Sequence, residues 1–149
     1  QAQEIATAVR SGKLKALLCF GEDPRHLGLT ETDLSGLDFI VCLDILPNTA
    51  TKLATAILPG AGFAEKRGSM VNVHGRLQRL NRATNPPGQA RDDWEILADL
   101  LRALGVEAPQ TLEGVFKEMS TAVPAFHGFT LAKLGESGIP LETTEALQR

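Results

Sequence analysis

In Lys15-Ala16-Leu17-Leu18-Cys19-Phe20-Gly21-Glu22-Asp23-Pro24 the residues up to Phe20 form a continuous apolar run, without alternation, that passes straight into a turn. Such a run reads as a strand buried on both faces, the kind that parallel sheets use. Gly21 to Pro24 punctuates its carboxyl end. A second run, Phe39-Ile40-Val41-Cys42-Leu43, ends in Asp44, and a third, Ala56-Ile57-Leu58, is closed by Pro59-Gly60. Between them lie a short helix over Glu31 to Leu34 and another over Ala50 to Ala54, the latter capped by Asn48 or Thr49. Strands and helices alternating this closely predict a parallel α/β sheet with right-handed crossovers, a Rossmann-like fold with flanking helices. Ligands of such sheets sit outside the carboxyl ends of the strands. The sheet is small and reads as the second half of a larger one.

Upstream, residues 2–10 suit a helix ended by Ser11-Gly12. Downstream comes Phe63-Ala64-Glu65-Lys66-Arg67-Gly68-Ser69-Met70-Val71-Asn72-Val73-His74-Gly75-Arg76-Leu77-Gln78-Arg79, dense in Gly, amides and cations. Ser69 to Val73 and Arg76 to Leu80 alternate polar with apolar, the period of strands, and predict a β-hairpin. A stretch this rich in polar groups is either a solvated hairpin or a binding loop. Arg76, Arg79 and Arg82 recur three apart and form a candidate phosphate clamp. Asn85-Pro86-Pro87-Gly88-Gln89-Ala90-Arg91 cannot be helix and reads as an extended, stiff crossing segment. Asp92 or Asp93 then caps a helix with Trp94, Leu97, Leu100, Leu101 and Leu104 on its core face, ended by Gly105. A further helix, Leu112 to Thr121, presents Leu112, Val115, Phe116 and Met119. Pro124 stops it, and Phe126 to Leu141 reads as irregular with a short helix at Leu131 to Leu134.

The 149 residues fit one domain with room for a proper core. Hydrophobic content of 43% and charged content of 22% are globular values. A net charge of −3 excludes the footprint of a nucleic-acid-binding domain. No apolar run reaches the ~18 residues of a membrane span, and no secretory leader is read at the start. Gln1 in place of Met suggests a piece of something larger.

The chemistry legible in the side chains is sparse. Cys19 and Cys42 each lie inside an apolar run and read as buried thiols. The histidines, His26, His74 and His127, have no metal-ligand spacing, so no metal site and no iron–sulfur cluster are expected in this chain. The adjacent carboxylates Glu22 and Asp23 are either an acid–base pair or solvated turn residues. Neither a Gly-x-Gly-x-x-Gly nor a P-loop occurs. No catalytic residue is assigned.

Taken together, these segments resemble the molybdopterin oxidoreductase superfamily. Gly21-Glu22-Asp23-Pro24 is similar to its Gly-x-Asn-Pro element. The strand ending in Asp44, with Thr49 and Ala56-Ile57-Leu58-Pro59, is similar to its next βαβ unit. Phe63-Ala64-Glu65-Lys66 with Gly68-Ser69, Asn72, Gly75-Arg76 and Gln78-Arg79 is similar to its most specific stretch. Pro86-Pro87-Gly88, Ala90-Arg91 and Asp93-Trp94 complete the pattern, which covers about residues 14 to 105. The resemblance implies that 1–149 is the C-terminal portion of such an α/β domain. It also implies candidate cofactor-binding positions at Gly21, Glu22, Asp23, Asp44, Asn72, Arg76 and Gln78.

Within the superfamily, three details resemble the large iron–sulfur subunit of NADH:quinone oxidoreductase, respiratory complex I. Gly75 stands where formate dehydrogenases tend to have a second Arg. The stretch from Val115-Phe116 to Leu134-Gly135-Glu136 is similar to that subunit's tail, and the chain stops without obvious room for the barrel that completes the enzymes' cofactor site. Asp23 in place of Asn sets a carboxylate on a face meant for an anionic nucleotide, which Coulomb's law disfavours. Pro47-Asn48 and Thr55 also replace polar or acidic positions. This reading implies a structural role in NADH-to-quinone electron transfer, a vestigial site without cofactor, and iron–sulfur clusters in the parent. It further implies partners among the subunits of a multi-subunit oxidoreductase, and a peripheral position on the cytoplasmic face of the inner membrane. The alternative is the catalytic subunit of a formate-dehydrogenase-type enzyme, with Gly21, Glu22, Asp23 and Asp44 lining a molybdopterin guanine dinucleotide.

Overall fold

A computed structural model describes residues 2–141 and divides the chain into two compact units. The first comprises residues up to Ala61 together with Pro87–Ala90, and the second comprises Gly62–Pro86 and the residues from Arg91 onward.

The first unit is built on a parallel sheet of β1 (Ala16–Phe20), β2 (Phe39–Asp44) and β3 (Ala56–Pro59), in that spatial order. Its helices are α1 (Ala2–Arg10), α2 (Glu31–Ser35) and α3 (Thr49–Leu53), with a 3₁₀ turn at Pro24–Leu27. The two short helices start where the sequence provides reciprocal caps. Thr30 and Asp33 satisfy each other's backbone N–H groups at α2, and Asn48 with Thr51 does the same at α3. Gly12, at φ +71°, ends α1.

The pairing puts Leu17, Cys19, Ile40 and Cys42 on one sheet face and Leu18, Phe20, Phe39, Val41 and Leu43 on the other. Ala6 and Val9 of α1, Leu34 of α2 and Ala50 of α3 bury the first face. The central strand β2 is buried from Ile40 to Leu43, as its unbroken apolar run requires. β1 departs from expectation. It is an edge strand, and Leu18 and Phe20 remain exposed on the face opposite the one that α1, α2 and α3 pack against. An apolar run records that a strand can be buried on both faces, not which elements are at hand to bury it.

The second unit carries an antiparallel sheet of β4 (Gly68–Val71), β5 (Arg76–Leu80) and β6 (Ile139–Pro140), and the helices α4 (Asp93–Ala103) and α5 (Leu112–Ala122). The hairpin is present. β4 ends at Val71 rather than Val73 because Asn72 to Gly75 make the turn, with Gly75 at φ +70°. The core gathers Leu77, Phe116, Phe126, Leu131, Leu134 and Leu141. Burying a leucine such as Leu77 completely stabilises by about 1.5–3 kcal/mol. The short strand β6 sits in the tail that reads as irregular, because two residues are too few to show a period.

Two expectations for α4 are corrected. Its buried positions are Ile96 and Ala98, while Leu101 and Leu104 are exposed. Asp92 makes no side-chain cap, because its carboxylate is turned inward and wholly buried. Pro87 to Ala90 form a turn, with the Ala90 N–H donating to the Pro87 carbonyl at 3.0 Å, rather than an extended crossing.

Candidate functional site

Parallel strands end together, so β1, β2 and β3 deliver their carboxyl termini to one edge of the first unit. Gly21 follows β1 at φ +64°, and its N–H donates to the Leu43 carbonyl at 2.8 Å. Gly60 follows β3, and its N–H donates to the Asp44 carbonyl at 3.1 Å. The left-handed conformation at Gly21 is the region where a side chain would be strained.

Asp23 is a locally committed carboxylate. Its Oδ1 accepts from the Arg25 N–H at 3.0 Å and caps the 3₁₀ turn, while Oδ2 accepts from Arg25 Nε at 2.9 Å and Nη2 at 2.6 Å. The Arg25 guanidinium above all, then the backbone bonds from Arg25 and Thr49, hold its pKa down at about 2. The charge that would repel an anionic ligand is therefore paired in place. Glu22 is exposed and shares a 2.5 Å hydrogen bond with His26 Nδ1.

Asp44 shapes the loop after β2. Its Oδ1 accepts from the Ile45 N–H at 2.7 Å, and its Oδ2 accepts from Asn48 Nδ2 at 2.7 Å. Asn48 in turn accepts from the Thr51 N–H and starts α3. Asp44, Ile45, Leu46, Pro47, Lys52 and Ile57 are among the residues lining an open cleft of about 330 Å³ at this edge. The cleft combines apolar walls, a carboxylate and one ammonium group. Thr55 uses its Oγ1 to accept the Ile40 N–H at 3.2 Å, a structural bond.

Asn72, Arg76 and Gln78 belong to the second unit, where they build the hairpin. Asn72 Oδ1 accepts from the N–H groups of His74 and Arg76, both at 3.0 Å, and its Nδ2 donates to Gln78 Oε1 at 3.1 Å. Arg76 Nη1 donates to the carbonyls of Ser137 and Gly138 at 3.0 and 2.9 Å. Arg82 is bound to Asp92. Two members of the arginine triplet are thus engaged inside the unit, while Arg79 is exposed and has no side-chain partner among the described residues.

The Phe63–Arg67 stretch is held from several sides. Glu65 Oε2 accepts from the Gly62 N–H at 2.8 Å, and the Ala64 carbonyl accepts from Ala83 and Thr84. Lys66 pairs with Asp93, and the Arg67 N–H donates to Asp92 Oδ2 at 3.2 Å. Arg25, Lys52 and Asp92 are the polar residues around these loops that motif reading missed. Their only sequence signal was proximity: Arg25 two residues beyond Asp23, and Asp92 beside a helix start that absorbed the assignment.

Burial pushes the Cys19 thiol up to about 11 and raises that of Cys42 as well, which makes both poor nucleophiles. Among the described residues no cluster of metal-ligating side chains occurs, and no helix is long and apolar enough to cross a membrane.

Comparison with known proteins adds sequence kinship to this geometry. The model of the molybdopterin oxidoreductase family matches residues 1–103. The alpha subunit of F420-dependent formate dehydrogenase from Methanocaldococcus jannaschii is 36% identical over 140 residues, covering 87% of this chain and 20% of that protein. The alpha subunit of NADPH-Fe(3+) oxidoreductase from Geobacter sulfurreducens is 32% identical, with 91% of this chain and 16% of that protein covered. The assimilatory nitrate reductase catalytic subunit of Bacillus subtilis is 30% identical, over 92% of this chain and 21% of that one. The chain thus spans about a fifth of the length of these relatives. Among solved structures, acetylene hydratase from Pelobacter acetylenicus shares the fold over 71% of this chain and 16% of its own, with a TM-score of 0.56 and 21% identity.

Proposed function

The chain belongs to the molybdopterin oxidoreductase family, and from that premise we propose that it is a segment of the catalytic, alpha-type subunit of a formate-dehydrogenase- or nitrate-reductase-like enzyme. In this proposal the carboxyl edge of the β1–β3 sheet forms part of the wall that receives a molybdopterin guanine dinucleotide. The observation that carries it is the cleft beside Asp44. Guanine offers adjacent N–H donors on one edge, which a carboxylate complements, and Ile45, Leu46 and Ile57 provide apolar surface for its faces. Lys52 supplies positive charge for a phosphate, and Gly21 permits close approach of backbone to ligand. When bound, the cofactor would supply the two-electron redox chemistry; this chain's residues would orient its nucleotide end.

The relatives support this reading over a structural role in respiratory complex I, being formate dehydrogenase, nitrate reductase and NADPH-Fe(3+) oxidoreductase subunits. Two of the features that favoured the other reading have local causes. Gly75 stands at φ +70° in the hairpin turn, a sufficient reason for glycine there. Asp23 carries Arg25 on its carboxylate, so the Coulomb objection to an anionic ligand loses its force. The relatives' designation as alpha subunits supports partner subunits for the parent, and iron–sulfur clusters held outside this chain are part of the same proposal.

The test is metal, pterin and nucleotide analysis of the intact parent protein purified from its native source. Molybdenum or tungsten with stoichiometric pterin and guanine nucleotide is the expected result, and Asp44→Ala should lower nucleotide retention while the fold persists. Iron without molybdenum, tungsten or pterin would overturn the assignment.

A further inference from the structure

Cys19 and Cys42 are the two cysteines of the chain, and the fold sets them opposite each other. They are register partners in the β1–β2 ladder, and both belong to the cluster that Ala50 of α3 completes on one face of the sheet. Both are free thiols, 7% and 0% exposed. Neighbouring strands lie about 4.8 Å apart. That falls inside the ~4.4–6.8 Å between Cα atoms that a disulfide bridges. Side chains that leave one face at one ladder position also point the same way. Two thiols so placed are one bond away from a cross-strand link.

Cys42 is in addition tied to the loop after β2. Its Sγ donates to Asn48 Oδ1 at 3.9 Å, and Asn48 Nδ2 donates to Asp44 Oδ2 at 2.7 Å. A bond from Cys42 Sγ to Cys19 would consume the S–H, so Asn48 would lose a donor. Burial has two opposite effects on such a bond. It raises the Cys19 thiol to about 11, with smaller contributions from Cys42 and Asp23, so thiolate is scarce and a first oxidation is slow. It also shields an oxidised sulfur from further oxidant, and leaves the partner thiol as the nearest nucleophile.

We propose that Cys19 and Cys42 are a reversible dithiol–disulfide pair, oxidised by a peroxide, whose state is relayed through Asn48 to the Asp44 loop. Cys19, the less buried, reacts first. Its thiolate attacks one peroxide oxygen, the O–O bond breaks, and hydroxide leaves as a sulfenic acid forms. The Cys42 thiolate then attacks that sulfur, the S–O bond breaks, and a second hydroxide departs. Two thiols thus give up two electrons and two protons, and hydrogen peroxide becomes two waters. This inference is independent of the cofactor assignment.

The test uses the full-length parent, purified without oxygen and fully reduced. After stoichiometric hydrogen peroxide, alkylation in denaturant and peptide mass spectrometry should find the Cys19 and Cys42 peptides joined, with two hydrogens lost. A dithiol reductant should restore both thiols. Peroxide that leaves both as thiols, or that carries Cys19 to sulfinic acid while Cys42 stays reduced, would overturn the pair. Amide exchange of residues 45–51 should quicken about two- to fivefold in the bridged protein, the weight of one weak hydrogen bond. In Cys19→Ala, and equally in Cys19→Ser, Cys42 keeps its bond to Asn48, so peroxide should leave that exchange unchanged. A bridge without quickened exchange, or quickening in these variants as well, would overturn the relay.

Discussion

Arg82 Nη2 donates to Oδ1 of Asp92 at 2.7 Å, and Asp92 is wholly buried. The other carboxylate oxygen accepts from the Arg67 N–H at 3.2 Å and Trp94 Nε1 at 3.4 Å. One carboxylate thus joins the Phe63–Arg67 stretch, the end of the hairpin and the start of α4. Removing the Arg82 cation leaves a buried charge with neutral hydrogen-bond donors and only the more distant Arg67 guanidinium, and breaking a buried pair costs about 3–5 kcal/mol. Arg82 is itself 33% exposed, so the low end is expected. Arg82→Ala should destabilise the second unit by about 3 kcal/mol in urea unfolding. Arg67→Ala should cost less than about 1 kcal/mol, because its guanidinium is 3.9 Å from Asp92 and half exposed. Equal effects of the two substitutions would refute Asp92–Arg82 as the principal pair.

Gly138 is the glycine with the least room for substitution among those whose surroundings the structure defines. It sits at φ +69°, and a Cβ there would lie 2.4 Å from the Leu77 carbonyl oxygen and 2.8 Å from Gln78 Cγ. Backbone cannot yield as a side-chain tip can, so β6 would have to leave β5. Gly138→Ala should cost more than the ~1–2 kcal/mol of left-handed strain alone. Gly128→Ala, at φ +78° with open space around it, should show only that strain. Thermal unfolding of the two variants side by side decides it.

Arg76 offers a contrast with Arg79 three residues on. Arg76 holds the carbonyls of Ser137 and Gly138, whereas Arg79 is exposed without a side-chain partner among the described residues. Arg76→Ala should destabilise by about 1.5–3 kcal/mol and open the segment before Leu141 to limited proteolysis. Arg79→Ala should stay within about 0.5 kcal/mol. A loss of turnover per folded molecule in Arg76→Ala, without change in stability or proteolysis, would assign it to ligand binding instead.

Much of this fold was legible because local signals agreed. Asn48 is a cap by residue type and position, Gly12 and Gly105 end helices, and the unbroken run of β2 marks a strand buried on both faces. What was illegible depended on partners distant in sequence. The run in β1 is as apolar as that in β2, and only the strand order makes it an edge. Asp92 looks like a cap because cap and buried anchor share a residue type; the choice is made by Arg82, ten positions away. At the candidate site the sequence supplied Asp23 and Asp44 as carboxylates but could not show that Arg25 turns back to pair with one of them. The sign of the local charge depended on that bond.

The same carboxylates fix a pH dependence. Asp23 is held at about 2, chiefly by Arg25, and Asp33 is held at about 2, chiefly by Arg10 and then by the backbone and hydroxyl of Thr30. Both lie below the ordinary 3.8. A carboxylate with a depressed folded pKa contributes stability that is fully present above the unfolded value. That stability is lost as the folded state takes up protons, between pH values of about 4 and 2. The first unit should therefore weaken across that window while showing little change from these groups above about pH 5. Arg10→Ala removes the largest cause at Asp33. It should move that carboxylate's titration up toward 3.8, leave Asp23 near 2, and reduce the part of the acid transition that Asp33 supplies. Carbon-detected NMR titration of the aspartate carboxyls reads both groups separately. An Asp33 midpoint unchanged by Arg10→Ala would show that the Thr30 cap alone sets it, and would remove the Arg10–Asp33 pair from the account of how α1 is fixed against α2.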